Sequence, residues 1–195
     1  MNFEEAVMPH LDAAYNLARW LTRNEADAQD MVQEAYLRAL RFFGGFHGTD
    51  ARAWLLTIVR NTCYTWLKRS RSSELSGDLD EVMLTKESDE PDPEVSHVLK
   101  VQSQLISEAI EKLPIEFREV VILRELEELS YKEIATITGI PIGTVMSRLS
   151  RARKRLVVCL RGVARFNSVE REIKRKPTAI KCRIDLVQTG NNRVA

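Results

Sequence analysis

The stretch Ser130-Tyr131-Lys132-Glu133-Ile134-Ala135-Thr136-Ile137-Thr138-Gly139-Ile140-Pro141-Ile142-Gly143-Thr144-Val145-Met146-Ser147-Arg148-Leu149-Ser150-Arg151 carries the strongest local signal in the chain. Ser130 and Glu133 have the spacing of a capping box. The hydroxyl accepts from the backbone N–H three residues on, and the carboxylate reaches back to the first N–H. A helix therefore starts here. Ala135, Gly139 and Val145 follow at offsets of four and six. Two helices that cross at a tight turn need a small residue at the crossing, a residue tolerant of positive φ at the turn, and a β-branched anchor on the second helix. These three positions supply them in that order. Pro141 suits the first turn of the new helix. Ile134, Ile137 and Leu149 supply further packing, and the pattern predicts a helix-turn-helix.

The second helix of this unit is expected from Ile142 to about Leu156. Thr144, Ser147, Arg148, Arg151 and Arg155 follow 3-1-3-4 spacing and share one side. Hydroxyls near the start with arginines behind them suit a major groove, where the N-terminal residues reach base edges and the basic ones neutralise phosphates. A basic face by itself is also what any solvated helical hairpin shows. The capping box and the three spaced packing residues favour DNA.

Working outward, Val98, Val101, Leu105, Ala109 and Leu113 form a helical stripe that Pro114 stops. Phe117, Val120, Val121 and Leu123 lie on the next helix. Residues 98–161 thus make one helical domain. Residues 5–69 make another. Val7, Leu11, Ala14, Ala18 and Leu21 fall on one helical stripe, and Val32, Tyr36, Ala39 and Phe43 on a second that Gly44-Gly45 ends. Asp50 is the expected N-cap of a third helix, with Leu55, Ile58, Val59 and Trp66 on one face. Between the domains, residues 70–97 read as a flexible acidic linker with a transient helix around Leu79–Leu84. Serines, like charges, Pro91 and Pro93 cannot repay the entropy of ordering. Residues 162–195 form a basic extension of open role. The fold class is all-α: two small helical domains on a flexible acidic linker, the second containing the helix-turn-helix.

The chain has 195 residues and a net charge of only +1, but the charge is segmented. Ser147–Arg183 holds thirteen basic and two acidic residues, and Glu74–Glu94 holds nine acidic residues and one lysine. One consequence would be that the linker lies over the basic faces and weakens DNA binding by the free chain. The alternative is a plain solubilising tether. The longest apolar run is far short of the roughly 20 residues needed to cross a bilayer. Glu4 and Glu5 oppose a signal peptide, so a cytoplasmic protein is expected. Cys63, Cys159 and Cys182 lack metal or redox spacing, and His10, His47 and His97 do not pair at helical spacing. No metal, cofactor, phosphate loop or nucleophile–base constellation is expected, and hence no enzyme. Cys63, close to Asn61, is read as a buried core thiol in preference to a redox sensor.

Leu113-Pro114, Arg124-Glu125-Leu126, Leu129 through Ala135, Gly143-Thr144-Val145 and Ser147 through Arg153 resemble region 4 of bacterial sigma factors of the extracytoplasmic-function type. Asp27-Ala28-Gln29-Asp30-Met31-Val32-Gln33-Glu34-Ala35, Ala53-Trp54-Leu55 and Val59-Arg60-Asn61-Thr62 resemble region 2. Two matches in one chain, in the family's order, are far more specific than one helix-turn-helix. The resemblance implies a factor that binds RNA polymerase core, directs it to promoters and helps to open the duplex, in a stress or envelope response. An anti-sigma factor is a typical partner of the family.

Carried over position by position, Ser147, Ser150 and Arg151 match base-contacting places in the −35 element, although Ser150 lies off the centre of the polar face. Thr144, Arg148 and Arg124 match backbone-contacting ones. Asn61 matches the place that captures a flipped −10 base, where an amide offers both donor and acceptor. Arg60, Lys68, Arg69 and Arg71 would follow that strand's phosphates. Tyr64 and Trp66 are candidate stacking groups, with core packing the stronger reading for Trp54 and Trp66. Asp30, Gln33 and Glu34 share a helix face that the resemblance docks on a coiled-coil of the polymerase's largest subunit. From residues alone, a homodimeric helix-turn-helix regulator that never meets polymerase stays open. It accounts for the second half and leaves the first unexplained.

Overall fold

The computed structural model describes residues 2–48, 50–74 and 104–161. They are helical, with no strand among the described residues. The first half contains α1 (Phe3–Val7), α2 (Leu11–Thr22), α3 (Glu25–Phe42) and α4 (Ala51–Glu74). The second contains α5 (104–111), α6 (Ile115–Val121), a π turn (Ile122–Leu126), α7 (Tyr131–Thr138) and α8 (Ile142–Arg161).

Helices α3, α4 and α7 begin where short polar side chains meet orphan N–H groups. The Asn24 Oδ1 accepts from Ala26 and Asp27 at 2.8 and 3.2 Å and starts α3. Asp50 accepts from the Ala53 N–H at 2.9 Å ahead of α4, as expected. The expected capping box is present: Ser130 accepts from Glu133 at 3.2 Å, and Glu133 accepts from the Ser130 N–H at 2.7 Å. Gly139 sits at φ +69° at the end of α7, where its missing side chain removes the penalty of the left-handed region. Its N–H donates to Ala135 at 2.9 Å.

Three boundaries differ from expectation. The Val7–Leu21 stripe is not one helix. A 3₁₀ turn over Met8–His10 interrupts it, because Pro9 has no N–H and its ring excludes the carbonyl four residues back. The stripe itself survives, with Val7, Ala14, Ala18 and Leu21 buried. Helix α4 runs to Glu74, so Ser70, Ser72 and Ser73 are helical and the linker cannot start at residue 70. Lys68 and Arg69, in the approach to this end, have good helix propensity. Helix α8 runs to Arg161 because Leu156 and Leu160, both buried, continue the inward stripe of Val145, Leu149 and Ala152. Pro141 precedes α8, and its carbonyl accepts from Thr144 and Val145. The rest of the expected linker, the helix around Leu79–Leu84, Val98, Val101 and the 162–195 extension lie outside the described residues.

In the first half an aromatic cluster joins α1, α3 and α4. Phe3 meets Tyr36 and Phe43 edge-on at 5.0 and 5.2 Å, and Phe46 lies 4.7 Å from Trp54. Trp54 thus packs in the core, as expected. Ile134, Ile137, Val145 and Leu149 build the helix-turn-helix core. The two halves do not stand apart: α4 packs on α7 and α2 on α6, and their buried side chains form one continuous core.

Candidate nucleic-acid and polymerase interfaces

Thr144, Ser147, Arg148, Ser150 and Arg151 lie on α8, which the Gly139 turn directs away from α7. Ser147, Ser150 and Arg151 are exposed, and Thr144 and Arg148 are half-buried. The Ser147 hydroxyl donates to the Thr144 carbonyl at 3.0 Å, leaving its oxygen's lone pairs outward. Arg155 is exposed with its guanidinium 5.0 Å above the Phe117 ring. Arg124 donates to the Leu129 carbonyl at 2.7 Å and lies 5.0 Å from the Tyr131 ring. It therefore braces the loop that leads into α7. The surface left at the start of α8 is a hydroxyl-and-guanidinium face of the kind that reads base edges and phosphates together.

On α4, Asn61, Lys68 and Arg69 are exposed. Arg60 is not: its side chain is only 17% exposed, and it donates to the fully buried Glu119 of α6. Its guanidinium also lies 4.4 Å over the Tyr64 ring and donates to the Asn61 Oδ1 at 3.3 Å. Tyr64, read as a candidate stacking group, donates its hydroxyl to Glu119 at 3.2 Å. Burial pushes the Glu119 carboxyl above the usual range, and the Arg60 and Tyr64 donors pull it part of the way back. Cys63 is fully buried, and burial pushes its thiol up to about 12, which matches a core residue and not a reactive one.

On α3, Asp30 and Gln33 are exposed on one face. Glu34 shares it and accepts from Arg38 at 2.7 Å. Leu37 and Leu40, 58% and 52% exposed, continue this face for another turn. Sequence reasoning missed them, although Leu37 stands at i+4 from Gln33 and i+3 from Glu34, and Leu40 at i+3 from Leu37, off the buried Ala35–Ala39 stripe.

Sequence reasoning also missed three buried glutamates. Glu119 holds Arg60, Glu125 accepts from Arg153 at 2.7 Å, and Glu127 accepts from Arg52 at 2.6 Å and from the Asn16 amide at 3.3 Å. Arg118, also buried, donates to the Trp20 carbonyl at 2.8 Å, in the last turn of α2, and to Leu113 at 3.2 Å. Burial, helped by Arg23, pushes Arg118 down to about 10. The available signal was Arg118-Glu119 set inside the apolar run from Phe117 to Leu123. Charges there need partners from elsewhere in the fold. Among the described residues no cluster of His, Cys, Asp and Glu is arranged to hold a metal ion, and no helix is long and apolar enough to cross a membrane.

The comparisons with known proteins cover both halves. Residues 6–73 match the family "Sigma-70 region 2" and residues 103–156 match "Sigma-70, region 4". The chain is 37% identical over 135 residues to the "ECF RNA polymerase sigma-E factor" of Escherichia coli, covering 66% of this chain and 71% of that protein. It is 34% identical over 159 residues to the "ECF RNA polymerase sigma factor SigE" of Mycolicibacterium smegmatis, covering 80% of this chain and 60% of that longer relative. The solved sigma factor RpoE of Bartonella quintana, in complex with the anti-sigma factor NepR, superposes with a TM-score of 0.66 at 31% identity. The match spans 84% of this chain and 98% of that one. The region 2 match accounts for the first half, which a homodimeric helix-turn-helix regulator leaves without a role.

Proposed function

Because the chain belongs to the sigma-70 family, in its extracytoplasmic-function group of RNA polymerase sigma factors, we propose that its halves act as paired promoter contacts on one polymerase. The protein is a transcription initiation factor that binds polymerase core and directs it to specific promoters. Its first half docks through the α3 face of Asp30, Gln33 and Glu34, with Leu37 and Leu40 extending the contact. Acidic and amide groups suit a basic docking surface, and the two exposed leucines add apolar area. Asn61 captures a −10 base extruded from the stack, and Lys68 and Arg69 track the strand, while Arg60, held by Glu119, is not open to it. Its second half lays α8 in the −35 major groove. There Ser147, Ser150 and Arg151 face bases, while Thr144, Arg148, Arg155 and Arg124 face the backbone.

The observation that carries this reading is the exposed Ser147–Ser150–Arg151 face on a helix whose entry turn is fixed by Gly139, in the same chain as a region 2 unit. The chain works in the cytoplasm, where the polymerase and promoters are, and carries out no chemistry of its own. An anti-sigma factor, of the kind bound by the Bartonella relative, holds it inactive until a stress or envelope signal arrives. In vitro transcription with purified core polymerase on a randomised promoter library tests the whole reading. Chain-dependent transcripts from a distinct promoter class are expected. Asn61→Ala should preserve core binding and lose open complex, seen as missing permanganate reactivity at the −10 element. Transcription by core alone from the same templates would overturn the proposal.

A further inference from the structure

We infer that Met146 reads a thymine 5-methyl group in the duplex that α8 enters, and so sets a sequence preference that the hydroxyl and guanidinium side chains beside it cannot. The inference rests on the reading of α8 given above.

The observation is an apolar pair on the polar side of this helix. Met146 is 50% exposed and Ile142, one turn before it, 44%. The core-facing stripe of α8 runs through Val145, Leu149 and Ala152, all buried, so the pair is not part of it. Spacing shows what lies beside the pair. Ile142, Met146 and Ser150 form one row at i, i+4 and i+8, and Gly143, Ser147 and Arg151 form the adjoining row. The exposed apolar surface thus lies among the three residues proposed to face bases. Gly143 has open space where a side chain would stand, which lets this end of the helix come close to a groove floor. These residues belong to the start of α8, the part that meets base edges when a recognition helix enters the major groove.

Charge selects the occupant. From Ile142 to Arg161 the chain has six basic residues and no acidic one. An apolar pair set in such a surface suits a polyanion that has an apolar feature of its own. Duplex DNA has one in its major groove, where each A·T pair presents the 5-methyl group of thymine next to the O4 acceptor. Hydroxyl and guanidinium groups gain little from a methyl group. Methionine is unbranched and polarisable, and adapts its shape to a small apolar neighbour. The contact removes apolar surface of both partners from water.

The test uses the full chain with purified core polymerase. Binding-site selection from a randomised duplex pool defines the −35 sequence. Each thymine of that sequence is then replaced in turn by deoxyuridine, which keeps the pairing and the O4 acceptor and lacks only the methyl group. Affinities are measured by competition for the wild type, Met146→Ala and Met146→Leu, with far-UV circular dichroism as the check on folding. At one position deoxyuridine should weaken wild-type binding by about threefold to fivefold, the effect of one methyl-sized group returned to water. Met146→Ala should bind the two duplexes equally, and Met146→Leu should keep most of the discrimination. Sequence selection by the wild type with no deoxyuridine effect at any position overturns the thymine contact and leaves α8 in the groove; it is the result if the pair meets a protein instead. A deoxyuridine effect of full size in Met146→Ala gives the methyl group to another residue and overturns the assignment. Failure of the wild type to select any duplex sequence overturns the groove reading of α8, and this inference with it.

Discussion

Arg153 on α8 donates to the Glu125 Oε1 at 2.7 Å, and this pair ties the proposed recognition helix to the π turn that precedes the helix-turn-helix. Glu125 is only 2% exposed and Arg153 29%, so the arginine is drawn inward from an otherwise basic helix. One of the arginines of the Arg151–Arg155 run is therefore a structural residue. Arg153→Ala should lower folding stability by about 1–3 kcal/mol, as expected for loss of a charge-assisted bond to a buried carboxylate. Urea unfolding of the full chain measures it. The salt dependence of duplex binding should match the wild type; a slope reduced by about one would make Arg153 a phosphate contact instead.

Arg151 stands on the same helix, exposed, and is expected to read a base. Arg151→Ala should cost about 1–3 kcal/mol of duplex affinity and relax the sequence preference at one position. Binding-site selection on a randomised −35 pool compares the variant with the wild type. If affinity drops evenly on all sequences, Arg151 touches only phosphate.

The Asp30–Glu34 face makes its own prediction. Replacing both residues, Asp30→Lys with Glu34→Lys, should abolish co-purification with core polymerase. The Glu34 change also sets a lysine against Arg38 at i+4. That repulsion costs about 0.2–0.5 kcal/mol, too little to unfold α3. Retained core binding by the folded double variant would remove this face from the docking surface.

Ser130→Ala should lose about 1 kcal/mol by leaving the first turn of α7 uncapped. The reciprocal partner adds a pH dependence. Hydrogen bonds from Ser130 hold the Glu133 carboxyl below its ordinary value of 4.5. A depressed folded value means that the unfolded chain binds the proton more tightly. The stabilisation from Glu133 is thus complete above the ordinary glutamate range and declines as pH falls through the folded value. In urea titrations from neutral pH down to about pH 3, the gap between wild type and Glu133→Ala should narrow toward the acid end. A gap that does not change with pH would mean that the carboxylate's charge plays no part in the cap.

The all-α class, the turn at Gly139, the Ser130 and Asp50 caps and the buried stripes could be read from residue order alone. Each depends on interactions that reach no further than about four residues, so spacing carries them directly. The exposure of Ser147, Ser150 and Arg151 followed for the same reason, since the opposite face of α8 must point outward when Val145, Leu149 and Ala152 point in. The partners of Arg60, Arg52 and Arg153 were not legible. Glu119 is 59 residues from Arg60, Glu127 is 75 from Arg52 and Glu125 is 28 from Arg153. Whether such a charge meets water, DNA or a carboxylate depends on which helices pack together, and local pattern does not encode that. It was the docking of α4 on α7 and of α2 on α6 that turned Arg60 from an open phosphate ligand into a buried partner of Glu119.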